Sequence, residues 1–189
     1  MPMILIADSG ATKTDWCFGT TLSDRQTIQT EGINPFHMDK AYIDGIILQQ
    51  LIPQLPASAL SDCTAIHFYG AGCLPERTEG ITRTLRNLFP QATVQVNTDL
   101  LGAARALCQH EPGIACILGT GSNSCLYDGT RIVGNISPLG YILGDEGSGA
   151  YLGKRFLGDC LKRQLPDFLA EGLMKRYGPV SYTHLRAHE

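Results

Sequence analysis

The sequence predicts an α/β protein built on a duplicated unit whose second copy is incomplete. Two observations lead there. Residues 4–19 (ILIADSGATKTDWCFG) and 115–134 (ACILGTGSNSCLYDGTRIVG) share one plan: strand, small-residue turn, strand, turn, strand. The first copy is followed by alternating helix and strand patterns, whereas the second passes into helical patterns alone. A second unit matching the first would need about 50 further residues, on ordinary domain sizes. The expected organisation is an N-terminal domain over 1–113, the start of a second over 114–178, and a non-native tail over 179–189.

Each element has its own signal. MILIA at 3–7 reads as a buried strand, ended by the turn Asp8-Ser9-Gly10. TDWCFG at 14–19 is the next strand, and 25–31 mixes polar and apolar residues as an edge strand does. Tyr42, Ile43, Ile46, Ile47 and Leu51 recur at helical spacing and predict a helix over 39–51, closed by Pro53 and Pro56. Further strands are expected at 65–69 and 93–97, with helices over 76–89 and 100–109. The second copy predicts strands at 114–118, 123–127 and 131–136. Asp128-Gly129 is read as its hairpin turn. Helices are expected near 149–162 and 166–177.

Composition narrows the function. Apolar residues make up 43% of the 189, enough for a core, and the net charge of −3 offers no basic stripe for nucleic acid. The N-terminal apolar run is short and meets Asp8 at once, so it reads as a strand rather than a signal peptide. No apolar run approaches the roughly 20 residues of a membrane span. Seven cysteines without a C-x-x-C pair fit neither a disulfide framework nor a zinc site, and point to a reducing cytoplasm.

Several stretches carry chemistry. Asp8 ends a buried strand before a Gly/Thr turn, where Gly10 admits an anion and the Thr12 hydroxyl and the turn amides, Lys13 among them, can meet phosphate. Asp8 can hold Mg²⁺ through water. The plain alternative is a hairpin turn. Gly119-Thr120-Gly121 holds the same place in the second copy, and two such turns would form a two-sided clamp for a triphosphate. Asp99, at a strand end and helix start, reads either as a general base or as a helix N-cap. The Gly-rich stretch 138–149 suits a loop whose backbone meets a ligand, with Asp145 accepting from sugar hydroxyls or serving a helix N-terminus. Asn34-Pro35-Phe36-His37 offers an amide in a loop, or a turn with a buried Phe. His37, His67 and His110 read as structural or surface residues.

These blocks, DSGATKTDW, GINPF, TDLLGAARAL, ILGTGSNS and PLGYILGDEGSGA, resemble in order those of N-acetylglucosamine kinases. More broadly they are similar to the BadF/BadG-type ATPase branch of the sugar kinase, heat-shock chaperone and actin superfamily. The likeness covers residues 1–178. It implies a duplicated ribonuclease H-like fold, with ATP and sugar between its domains. It places Thr12 and Thr120 on the ATP phosphates, with Asp8 near Mg²⁺. Asn34, Asp99, Pro138, Leu139, Gly140 and Asp145 fall on the sugar, Asp99 also as base. The expected reaction is transfer of the γ-phosphoryl group of ATP to a hydroxyl of an N-acetylhexosamine. The resemblance implies no nucleic-acid or membrane partner and leaves room for a homodimer of the full-length form.

The family's adenosine-binding segment is expected beyond this chain, so the 189 residues alone are expected to be inactive and prone to aggregate. The alternative is an ATPase that activates a redox partner, as in the branch with a cysteine-bound iron–sulfur cluster. Cys116 is the residue in question there, and it reads as a buried strand cysteine. Residues 179–189 show no apolar period, and the spacing of His184 and His188 is read as part of a stray tail.

Overall fold

The structure is a computed structural model that describes residues 2–178. The expected tail, with His184 and His188, lies outside the described residues. The chain forms two compact units, residues 1–116 with 124–136, and residues 117–123 with those from 137 onward.

The first unit is organised by a five-stranded sheet of order β3-β2-β1-β4-β5. Its strands are β1 (Met3–Ser9), β2 (Lys13–Gly19), β3 (Gln26–Glu31), β4 (Cys63–Gly70) and β5 (Thr93–Thr98). β1 and β2 form an antiparallel hairpin, and β3 lies at the edge beyond β2, as its mixed composition predicts. β1, β4 and β5 run parallel, in a register that sets Ser9 beside Gly70 and Gly70 beside Thr98. The carboxyl ends of three neighbouring strands therefore make one edge, which is where open α/β sheets collect ligands.

One face of this sheet is dry. Leu5, Ala7, Trp16, Ile66 and Phe68 pack against Ile43, Ile47, Leu51, Ile81 and Leu85 of the covering helical segments, all buried. These belong to α1 (Lys40–Ile46) with the π-helical turn Ile47–Leu51, and to α3 (Glu79–Leu88). The Trp16 and Phe68 rings meet at 5.6 Å, and the Trp16 indole donates to Thr30 Oγ1 at 3.0 Å, so the largest core side chain buries no unpaired polar group. On the other face Ile4 and Ile6 remain 43% and 44% exposed. The expected buried strand is thus fully covered on one side only, because a strand's side chains alternate faces and Ile4 and Ile6 point away from the core helices.

Helix boundaries also depart from the periodicity. The helix expected over 39–51 is broken in type, with the α-helical part ending at Ile46 and the wider turn keeping Ile47 and Leu51 both in the core. The one expected over 76–89 is a 3₁₀ turn, Pro75–Arg77, followed by α3, with Thr78 between them. Short α2 (Ala59–Asp62) precedes β4. α4 (Asp99–Cys108) packs on β4, where Gly102 lies against Tyr69.

A second sheet of order β6-β7-β8 comprises β6 (Pro112–Leu118), β7 (Ser122–Asp128) and β8 (Ile132–Ile136). Its hairpin turn is the expected one: Asp128 Oδ1 accepts from the amides of Thr130 and Arg131, and Gly129 takes a φ of 97°. Ile114, Leu118, Leu126, Val133 and Ile136 of these strands are exposed. The chain ends its described part in α5 (Gly140–Leu143), α6 (Gly149–Leu161) and α7 (Asp167–Tyr177). Among the described residues no helix is long and apolar enough to cross a membrane.

A Cβ at Gly102 would stand 2.8 Å from Tyr69 Cγ. The Gly102→Ala variant is expected to lose about 1–3 kcal/mol by overpacking. Thermal or denaturant unfolding measures it, and an unchanged midpoint would show that α4 can shift away freely.

Candidate active site

The sheet edge of the first unit is built around Ser9, which is fully buried. Its Oγ accepts from the Ile33 amide at 2.9 Å and donates to the Ile33 carbonyl at 3.0 Å. Thr14 Oγ1, also buried, lies 2.7 Å from Ser9 Oγ and 3.0 Å from the Glu31 carbonyl. With the Ser9 proton on Ile33, the Thr14 proton serves Ser9 or Glu31, and every group in the cluster keeps a partner. The cluster ties the β1–β2 turn to the loop after β3. Gly32 seals the same junction: its amide donates to the Thr12 carbonyl at 3.0 Å, and a Cβ there would fall 2.5 Å from the Gly10 carbonyl oxygen. Ala71 N donates to the Ser9 carbonyl at 2.9 Å and ties in the end of β4.

Around that frame stand the candidate residues. Asp8 lies inside β1 rather than in the turn, because the hairpin ladder runs on to Ser9↔Thr14. The turn proper is Gly10, Ala11 and Thr12, all exposed, closed by the Gly10 amide on the Lys13 carbonyl at 3.0 Å. Lys13 Nζ rests on Asp15 Oδ2 at 2.8 Å. Asn34 is half-buried beside Gly72. Phe36, next to it, is 53% exposed, with the Arg77 guanidinium 4.6 Å from its ring centroid, and so is no buried turn residue.

Asp99 is the first residue of α4. The N-cap is Thr98, whose hydroxyl accepts from the Leu101 amide, so the capping role the sequence allowed Asp99 belongs to its neighbour. One residue of register decides this: a cap must keep extended backbone, and Thr98 does. Asp99 Oδ1 instead accepts from the Leu100 amide at 2.8 Å. Burial pushes its carboxyl above the ordinary range; the Leu100 amide opposes this, and the nearby Asp8 carboxylate adds to it. Cys73, after β4, is buried in the same place, and desolvation together with the Asp99 charge pushes its thiol up to about 12.

The second unit holds its own cluster. The Gly119–Gly121 turn closes more tightly than the first, with the Gly119 amide on the Gly121 carbonyl at 2.9 Å. Gly149 N donates to the Gly119 carbonyl at 2.8 Å and Ala150 N to the Thr120 carbonyl at 3.3 Å, so the start of α6 is fastened to the turn. Asp145 is buried, and its carboxylate lies over Gly121, where a Cβ would be 3.1 Å from Oδ2. It holds a φ of 63°, a left-handed conformation that Asp tolerates better than most residues. Fully buried Ser148 caps α6 through the Tyr151 amide at 3.1 Å. Pro138, Leu139 and Gly140 are exposed and lead into α5, a helical turn where an open loop was expected.

The chain is 48% identical to a candidate N-acetylglucosamine kinase from Porphyromonas gingivalis, with a TM-score of 0.86 over 96% of this chain and 63% of that one. A second candidate N-acetylglucosamine kinase, from Chromobacterium violaceum, matches 99% of this chain and 67% of its own at 21% identity and a TM-score of 0.68. A non-polymerising MamK mutant bound to AMPPNP shares the fold at 12% identity and a TM-score of 0.53. No protein-family model matches the chain, and no curated protein matches it.

The chain has the actin-like fold that these solved structures share. The duplicated α/β architecture read from the sequence is that of this fold, and the chain spans less than two thirds of the Porphyromonas protein's length.

Within this actin-like fold the structure brings Asp8, Gly10 and Asp99 to one sheet edge with Asn34 beside them, and Gly119, Gly121 and Asp145 to one turn. Pro138 and Gly140 stand apart from that turn's contacts, while Leu139 reaches Gly144. Sequence reasoning missed Ser9, Gly32, Gly72 and Cys73. A buried Ser between an acid and a Gly is the one local signal that could have marked Ser9. Cys116 is exposed, against expectation, because its face of β6 is uncovered.

Ser9→Ala would strand the buried Ile33 amide and carbonyl, at a cost of about 1–3 kcal/mol. Unfolding in urea measures it, and a loss below about half a kcal/mol would show that the cluster is not a staple. Asp99 has the opposite sign. Its raised value means that the native state is penalised once pH climbs above the unfolded carboxyl's ordinary value, near 4, and carries the full penalty above the folded value. Asp99→Asn, which keeps an acceptor for Leu100, is therefore expected to melt higher than wild type at pH 7 and level with it near pH 3. An equal or lower melting point at pH 7 would contradict the sign.

Proposed function

We propose that the full-length protein is an ATP-dependent sugar kinase that transfers the γ-phosphoryl group of ATP to a hydroxyl of an N-acetylhexosamine, with N-acetylglucosamine as first choice. The observation that carries the reading is Asp99: a desolvated carboxyl with a raised proton affinity, at the carboxyl ends of the parallel strands β1, β4 and β5, beside Asp8. The likeness to the two candidate kinases supports it.

In this reading Asp99 takes the proton of the attacking hydroxyl. Desolvation favours that, since it makes the carboxylate a stronger base while Leu100 N holds one of its oxygens in place. Gly10, Thr12 and Lys13 meet phosphate oxygens of ATP, with Lys13 leaving Asp15 to do so, and Gly119, Thr120 and Gly121 do the same in the second unit. Asn34, Pro138, Leu139, Gly140 and Asp145 hold the sugar.

The residues fit Mg²⁺ held through water at Asp8. Two carboxylates that disfavour each other's charge suit a cation nearby, and among the described residues no group of three or more His, Cys, Asp or Glu forms an all-protein cage. Bound there with ATP, Mg²⁺ would offset charge on the phosphoryl oxygens. Residues 1–113 are taken as one domain and 114–178 as the start of the next. A cytoplasmic enzyme, dimeric at full length, belongs to the same reading.

Coupled assay of ADP release tests it. The full-length protein is expected to release ADP only when N-acetylglucosamine is present, and the 189-residue chain to release none. Asp99→Asn should lower kcat about 10²–10⁴-fold. The acid limb of the wild-type kcat/KM profile, where Asp99 protonates, should vanish in the variant. Full activity in Asp99→Asn would remove the base from the scheme.

A further inference from the structure

Asn34 is held in one orientation, and the residue that allows it is Gly72. The Phe36 amide donates to Asn34 Oδ1 at 2.9 Å, and the Asn34 carbonyl receives the amides of His37 at 3.1 Å and Met38 at 3.0 Å. A backbone N–H can only donate, so the side-chain atom facing Phe36 is the oxygen. That leaves Nδ2, with two N–H groups, as the end free of the turn. Gly72, at the exit of β4, lies directly under this arrangement. A Cβ there would stand 2.1 Å from Asn34 Oδ1, 3.0 Å from its Cγ and 3.1 Å from Phe36 Cβ. Gly72 also has a φ of 73°, so the backbone there favours glycine on its own account. Its carbonyl accepts from the Leu74 amide at 2.8 Å, which holds the turn in place beneath the side chain.

We propose that Gly72 is a positioning residue that fixes Asn34 as a hydrogen-bond donor, so that this part of the site selects a sugar presenting an acceptor oxygen to it. The proposal rests on the sugar-kinase reading and deepens it. An Asn with both ends free would accept from or donate to any hydroxyl. With Oδ1 turned to the Phe36 amide and packed against Gly72, the end left for a sugar is Nδ2, which only donates. A group with lone pairs and no proton to give, such as an acyl carbonyl, then matches as well as a hydroxyl does, and a donor-only group such as an ammonium does not.

The test is steady-state kinetics of the full-length protein with N-acetylglucosamine and ATP, alongside calorimetric titration of the sugar. Asn34→Asp keeps an acceptor for the Phe36 amide but replaces the donor with a second oxygen. It is expected to melt as wild type does and to raise the sugar KM about tenfold, with the ATP KM unchanged. Gly72→Ala is expected to raise the sugar KM to the same degree. In an Asn34→Ala background, Gly72→Ala should add nothing further, which a merely structural role would not produce.

A wild-type sugar KM in Asn34→Asp overturns the donor assignment, whether or not Gly72→Ala folds. A wild-type sugar KM in Gly72→Ala, or a further loss in the Asn34→Ala background, overturns the positioning role while leaving the kinase reading intact. Wild-type protein that neither binds nor turns over the sugar overturns both.

Discussion

Everything at the first unit's edge depends on one register. Ser9, Gly70 and Thr98 stand side by side at the ends of three parallel strands. The segments leaving these strands therefore converge: the turn after β1, the Gly72 turn after β4 and Asp99 after β5. The buried Ser9 hydroxyl is the group that makes this edge rigid. It joins the turn after β1 to the Asn34 loop through two backbone groups that would otherwise be buried unpaired. The β1–β2 turn and the Asn34 loop cannot shift independently while that cluster is intact.

The price of the edge is electrostatic. Asp99 is desolvated and lies near a second carboxylate, which is costly for folding and useful for proton transfer. Asp145 in the second unit shows the same pattern in backbone form, holding a left-handed φ while packed over Gly121. Away from this edge the first unit packs an ordinary core around Trp16 and Phe68. Glycine is the common device. Gly32, Gly72, Gly102 and Gly121 each admit an atom that a side chain would exclude.

Much of this was legible from residue order. The apolar runs at 3–7 and 65–69 mark real strands, the mixed composition of 25–31 marks a real edge, and Asp128-Gly129 is a real hairpin turn. The misses have particular reasons. Asp99 against Thr98 as cap turns on one residue, and local preference favours both. Ile4 and Ile6 look buried because apolarity reports a strand's preference for cover, not whether cover is present. The π-helical turn at Ile47–Leu51 is invisible to a helical-spacing argument, which counts the same apolar residues either way.

By itself the sequence determined the α/β class, the duplicated strand–turn–strand plan and the acids and glycines that lie at turns, because these arise from short-range periodicity and from the backbone freedom of Gly. Tertiary structure alone decided that Ser9 is the buried joint, that Asn34 Oδ1 packs over Gly72, and that Asp99 is desolvated beside Asp8. Those facts depend on residues 24 to 91 positions apart in the chain meeting at one sheet edge, and no local pattern carries a distance of that kind.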